Sequence, residues 1–274
     1  MKSIVKTICV LLSAVLLLAG CQTIEKITTL KGLDGKILAM ASSPVSAEDA
    51  RASVESRLGI TLKDFRYFDN TAGAVAALVS GQVDAVFAPS FTGNYYAGQN
   101  DKIKTVTVNG NADSFAHMAL RTADSELMEA INAAILDMKA DGTLDKLYDG
   151  YITNLSEEPE GKDLPVLTGA PTVRVGISGD IPPLDFIAAN GKPGGYCAEL
   201  LTEISERANI NFEVSNMSNE VKFTALTTNK IDVFFFHFIN NNIQAMKDTI
   251  ADNPSIALSE PYFSVRDSVF LVLK

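Results

Sequence analysis

Val173-Arg174-Val175-Gly176-Ile177-Ser178-Gly179-Asp180-Ile181-Pro182-Pro183 is the stretch on which the fold turns. Its β-branched residues Val173, Val175 and Ile177 recur at the two-residue period of a strand, and a Ser-Gly-Asp step with two prolines stops it. Downstream, Ala198 to Ala208 reads as a helix and Asn211 to Val214 as a second strand. Val221 to Thr228 reads as helical, Ile231 to Phe236 as a very apolar strand, and Val269 to Leu273 as the last strand. Strands alternating with helices in this way imply βαβ units and a largely parallel sheet.

Upstream, the composition changes. The run Glu157-Glu158-Pro159-Glu160-Gly161-Lys162-Asp163 is charged and rich in breakers, which marks a surface linker over 153–171. Before it the same grammar appears once already. Lys36 to Met40, Phe65 to Phe68, Val83 to Ala88 and Ile103 to Val108 read as strands, with helices over Ala47 to Leu58 and Ala72 to Val79. A helix capped by Asp124 or Ser125 carries Leu127, Ile131, Ile135 and Met138 on one face, and Thr143 to Tyr151 continues as a further helical turn or two.

The beginning of the chain indicates where it works. Lys2 and Lys6 precede an apolar run from Val10 to Leu18, too short for a permanent span, and Leu18-Ala19-Gly20-Cys21 closes it. This resembles a bacterial lipobox, so 1–20 is expected to be a lipoprotein signal and 21–30 a lipid anchor and tether, with Cys21 acylated. An ordinary signal peptide with an incidental Cys21 is the alternative. The formal net charge is -10 and no basic cluster occurs, which argues against nucleic acid as a partner. Of the three cysteines, Cys9 leaves with the signal and Cys21 carries lipid, so Cys197 has no disulfide partner. His117 and His237 stand far apart, no metal-ligand spacing occurs, and no cofactor motif is found.

The opening stretch is similar to the first strand and loop of the family 3 extracellular solute-binding proteins, a cluster that includes the amino-acid receptors of ABC importers. Asn190-Gly191-Lys192, Gly195-Tyr196 with Glu199-Leu200, Asn229 to Val233 and Ser259-Glu260-Pro261-Tyr262-Phe263 continue the likeness. The earlier half resembles the later half of that family, in Leu30 to Lys36, Ser80 to Val86 and Ala140-Asp141-Gly142-Thr143-Leu144. The resemblance implies an α/β, two-lobed type II periplasmic-binding-protein-like fold that is circularly permuted. Units are then expected at 31–117 (second-lobe-like), 118–152 (hinge crossing and C-terminal-type helices packing toward the other lobe) and 172–274 (first-lobe-like). A tandem of two truncated receptors that need partners is the competing arrangement, and separate, self-contained halves over 22–151 and 172–274 would count against permutation. Permutation further leads one to expect a single covalent crossing near Ala116 to Arg121, the other being cut at the C-terminus.

By the same resemblance, the ligand lies between the lobes. The arginine that family members present to a ligand carboxylate falls on Gln244, and the aspartate for the ammonium falls on Pro89. Both charged anchors are missing, so an uncharged or weakly charged polar solute is expected rather than a free amino acid. The candidate ligand residues are Ser42, Ser43 and Ser90 on one side. Asp180, Ile181, Leu184, His237, Phe238, Asn240 and Asn241 stand on the other. For any one of these asparagines a helix-capping turn is an equal alternative, and each histidine is read first as structural. Asp185 and Glu199 are read as turn-forming, solvated acids. The expected role is a monomeric, lipid-anchored receptor that gives a small polar solute to an ABC permease. A dehydratase-type enzyme in the same cleft, built on His237 with Asp185 or Glu199, and a non-transporting ligand sensor are the alternatives.

Overall fold

The computed structural model describes residues 26–42, 45–108, 114–153, 155, 159–240, 253–265 and 267–274; Cys21, Ser43, Asn241 and Gln244 lie outside them. The first half lays down strands β1 (Ile37–Ala41), β2 (Asp64–Phe68), β3 (Ala85–Pro89) and β4 (Ile103–Val108), with helices α1 (Ala47–Leu58), α2 (Thr71–Val79) and α3 (Ser90–Gln99). Ser46 and Asn70 cap α1 and α2 by accepting the backbone N–H groups of Asp49 and Gly73. The first half then contributes β5 (Ser114–Arg121), α4 (Ser125–Ala140) and α5 (Thr143–Tyr148). Asp124 precedes α4 without a side-chain capping bond, because its carboxylate pairs with Arg121 instead.

After the linker come β6 (Thr172–Ile177), β7 (Asp180–Ile181), β8 (Asp185–Ile187), β9 (Pro193–Gly194) and α6 (Gly195–Ala208). These are followed by β10 (Asn211–Asn216), α7 (Asn219–Thr227), β11 (Val233–Asn240), β12 (Ile256–Leu258), β13 (Phe263–Val265) and β14 (Ser268–Leu273). Two principal sheets result, ordered β2-β1-β3-β14-β4 and β10-β6-β11-β5-β12, with β13 also on β5 and β7-β8-β9 forming a small third sheet. In each principal sheet four strands run the same way, three of them adjacent, and one antiparallel strand enters from the other half of the chain. Thus β5 completes the sheet of the second half, and β14 completes that of the first.

The halves are therefore not separate, self-contained domains. Helix α4 packs on α6 of the second half although it precedes the linker. The linker also lies along that lobe, where Asn190 donates to the Gly161 carbonyl, Lys162 pairs with Glu199, and Asn211 is bonded to Leu167 and Ala170. The single-crossing expectation is overturned. The chain passes from one sheet to the other between β4 and β5, and returns between β13 and β14, which pair with β5 and β3 respectively. Both links are continuous, and residues 268–273 of the expected 172–274 unit lie in the first-half sheet.

The two lobes share one local device. Asp84, just before β3, accepts the N–H of Ile37 at the start of β1, and its own N–H goes to the Ile37 carbonyl. Asp232, just before β11, does the same with Arg174 on β6. Asp232 also accepts from the guanidinium groups of Arg174 and Arg121. Burial pushes its carboxyl up, but those bonds outweigh burial and hold it at about 2. Among the described residues no helix is long and apolar enough to cross a membrane.

Candidate functional site

The lobes approach each other where β7 packs against α2 and where Phe91, at the start of α3, meets Phe263 of β13 edge-on at 5.4 Å. The segments following β1, β3, β6 and β11 are the carboxyl ends of parallel strands, the usual ligand-binding edge of such sheets. On the first-half lobe, Ser42 is exposed just past β1 and donates its N–H to the Phe68 carbonyl. Ser90 is half-buried at the first position of α3, with its N–H bonded to the Asp267 carbonyl. Sequence patterning does not reveal α3, since Ser90-Phe91-Thr92-Gly93-Asn94 reads as a turn. Gly93 is needed there because a side-chain carbon would collide with Val269 of β14. Thr92 beside it is buried and its Oγ1 has no partner among the described residues.

The second-half lobe supplies the more elaborate wall. The Ser178-to-Ile181 loop is fixed by Asp185, which is fully buried and accepts the N–H groups of Ser178 at 2.8 Å and Gly179 at 2.9 Å. Asp185 thus forms the expected turn but is not solvated. Burial raises its carboxyl above the ordinary range, opposed by Lys222 and the two N–H groups. Asp180 keeps solvent contact at the lip. The protein atoms packed around it and the charge of Asp185 raise its carboxyl, and its own charge is felt by Tyr96 of α3 across the gap. Ile181 is half-buried next to it. Leu184 is completely buried in the main core with Tyr196 and Cys197, so it does not line a ligand cleft; its carbonyl instead accepts the Cys197 N–H. Cys197 is a buried free thiol, as the cysteine count implies.

Strand β11 carries a bulge between Phe234 and His237, with Phe236 in the left-handed region at φ 56°. A non-glycine residue there is strained and needs outside support. Tyr262 provides it: its hydroxyl accepts the Phe236 N–H at 3.0 Å. The bulge brings Phe234 and His237, three residues apart, together against Phe223, while Phe236 and Phe238 stack 6.1 Å apart and half-buried. His237 faces the opposite way, in register with His117 on β5. His117 Nδ1 donates to the Ser259 carbonyl at 2.7 Å. His237 is 8% exposed, lies edge-on to Phe223 and Phe234, and its Nε2 has no partner among the described residues. Burial, with His117 and Lys222 nearby, lowers its pKa to about 4. Asn240 ends β11, opposite Ser114. Glu199 lies apart from His237, held by Tyr151 and Lys162.

Lys222 escapes a reading by residue type, because a lysine on a short helix is ordinarily solvated. Here it is fully buried, on the α7 face that also buries Ala225 and Leu226. Helical spacing with those two residues is the sequence signal that would have found it. Its Nζ donates to Ser178 Oγ at 2.7 Å and sits 4.5 Å from the centroid of Phe234. Burial lowers the ammonium to about 8, against the charges of Asp185 and Asp180. Two cavities elsewhere are lined by the Arg121–Asp232 group with Ala123 to Leu127, and by Val221, Thr224, Ala225 and Lys230. Among the described residues no group of three or more His, Cys, Asp or Glu side chains is placed to hold a metal ion.

The model of bacterial extracellular solute-binding proteins, family 3, matches residues 48–154 and 173–274 of this chain. Among solved structures, the ligand-binding core of GluR0 in complex with L-glutamate is similar in fold, with a TM-score of 0.50 at 9% identity, covering 88% of this chain and 85% of that one. An ancestral arginine-binding protein bound to arginine gives a TM-score of 0.43 at 12% identity, covering 88% and 86%. The periplasmic aliphatic sulphonate binding protein SsuA from Escherichia coli gives 0.47 at 8% identity, covering 87% and 65%.

Proposed function

Since the chain belongs to the bacterial extracellular solute-binding proteins of family 3, we propose that it holds a small polar solute between its two lobes and delivers it to an ABC permease while tethered to a membrane through Cys21. The observation that carries the binding role is the pairing of two sheets of like topology whose carboxyl edges meet at β7 and α2. The order of the family's segments along the sequence is the ground for reading the chain as circularly permuted, and the strand exchanged by each half is compatible with that order. Residues 31–108 together with β14 then correspond to the family's second lobe, 114–152 to its crossing strand with terminal helices, and 172–265 to its first lobe. The linker 153–171 joins the family's ends. We also assign a monomer, with Ser42, Ser90, Asp180, Ile181, His237, Phe238 and Asn240 at or beside the cleft. Ser43 and Asn241 complete the set from outside the described residues.

A thermal-shift screen over polar metabolites tests the binding role, because a ligand of the native state raises apparent stability by mass action. Positive shifts with one chemical class are expected, and a flat response across the screen counts against the reading. Free α-amino acids are expected to bind weakly or not at all, with Pro89 and Gln244 where charged anchors would stand. Titration calorimetry decides it, micromolar binding of any common amino acid being the contrary result. Lipidation has its own check. Intact mass of the membrane-extracted protein should show loss of residues 1–20 and an acylated Cys21, and Cys21→Ala should release the protein from the membrane.

A further inference from the structure

Two polar groups with unused hydrogen-bonding capacity flank a single ring. Lys222 is completely buried, yet its only hydrogen bond among the described residues is the one to Ser178 Oγ. An ammonium has three donors, so two of its N–H groups have no acceptor among the described residues. The carboxylates whose charge it feels, Asp185 and Asp180, make no ion-pair contact with Nζ. Asp185 already accepts the Ser178 and Gly179 N–H groups, and Asp180 stands at the lip. A buried ammonium without a contacting anion is unfavourable. Independently, His237 is buried, and its Nε2 has no partner among the described residues. Its ring centroid lies 5.3 Å from that of Phe234, over whose face Lys222 sits. The position adjoins the lip, because Ser178 stands two residues before Asp180 and Ile181, which pack against the other lobe.

We propose that Lys222 is the anchor for a carboxylate of the bound solute, received beneath the Ser178-to-Ile181 loop between Lys222 Nζ, Ser178 Oγ and His237 Nε2. This rests on the solute-binding reading and narrows it. The ligand then carries an anionic group, in place of the uncharged or weakly charged solute expected from the missing anchors. One carboxylate oxygen takes an N–H of Lys222, and the other takes the Nε2–H of neutral His237. Both are charge-assisted bonds, stronger than those to a neutral amide oxygen. The missing counter-charge is thereby supplied by the ligand. Ser178, whose backbone is held by Asp185, acts as a positioning residue for the ammonium.

The test is titration calorimetry of the full chain at pH 7 with acetate, propionate and succinate, each against its amide: acetamide, propionamide and succinamide. At least one acid is expected to bind at least tenfold more tightly than its amide. Lys222→Met should lose at least tenfold of that binding, and His237→Phe should lose a smaller factor. The ligand-free Lys222→Met protein should melt at the same temperature as the parent or higher, because removing an uncompensated buried charge relieves the fold. A lysine with a merely structural role predicts the reverse, a lower melting temperature. Amides binding as well as acids, no acid binding to the parent, undiminished acid binding by Lys222→Met, or a fall in its stability would each overturn the anchor. Binding of the amides alone overturns the anchor while leaving the solute-binding reading standing. That reading fails separately, on the wider thermal-shift screen.

Discussion

Replacing Asp232 with Ala is expected to lower the unfolding free energy by about 3 kcal/mol, the scale on which one partner of a buried ion pair is missed. The carboxylate is 17% exposed at its side chain and joins three segments at once. It accepts the Arg174 backbone N–H and side chain on β6, and the Arg121 guanidinium on β5. Arg121 in turn donates to the Leu226 and Ile231 carbonyls that close α7 and lead into β11. Without Asp232, Arg121 retains Asp124 but lies 16% exposed with one counter-charge fewer. Asp84→Ala in the other lobe is the internal control. That carboxylate has one described hydrogen bond, to the Ile37 N–H, so a loss of about 1 kcal/mol is expected. Urea unfolding at pH 7 measures both. Equal losses from the two variants would show that the arginine contacts contribute nothing.

The second large effect is acid destabilisation through His237. Its pKa is lowered from 6.5 to about 4 by burial, His117 and Lys222. Between those values the unfolded chain binds a proton that the folded chain refuses, so stability falls as pH falls. The contribution is fully present above pH 6.5 and is lost on the way down to pH 4, where the difference amounts to about 3 kcal/mol. Ligand-free protein unfolded in urea at pH 7, 5 and 4 should show this decline. His237→Phe should remove most of it, since phenylalanine keeps an aromatic ring against Phe223 and Phe234 without a titrating nitrogen. The parent-minus-variant difference matters, because Asp185 and Asp180, with raised carboxyls, act in the opposite direction. A difference that does not change with pH would mean that His237 accepts its proton as readily in the fold as outside it.

These two residues also mark what was legible beforehand. Asp232 belongs to Asn229-Lys230-Ile231-Asp232-Val233, a string readable from its order alone, because a polar turn, one acid and an apolar strand are local signals. His237 was visible as an oddity within Phe234 to Phe238, but its direction was not. The bulge at Phe236 reverses the alternation, and it depends on the Tyr262 hydroxyl, distant in sequence. Leu184 went the other way. By likeness it belonged to the ligand wall, whereas the chain beside it turns it into the core.

By itself the sequence determined the strand and helix grammar, the linker, the unpaired Cys197 and the α/β class, since each rests on local periodicity, breakers or simple counting. It also carried the family, because the motif strings stand in order within each half. Tertiary structure alone decided that β5 and β14 exchange between the halves and that both crossings stay continuous. Pairing of strands remote in the chain leaves no trace in local pattern. The burial of Lys222 against Phe234 and Ser178 was decided in the same way. A lysine's environment is set by what packs over it, and in Lys222 that cover comes from β6 and β11, not from its own helix.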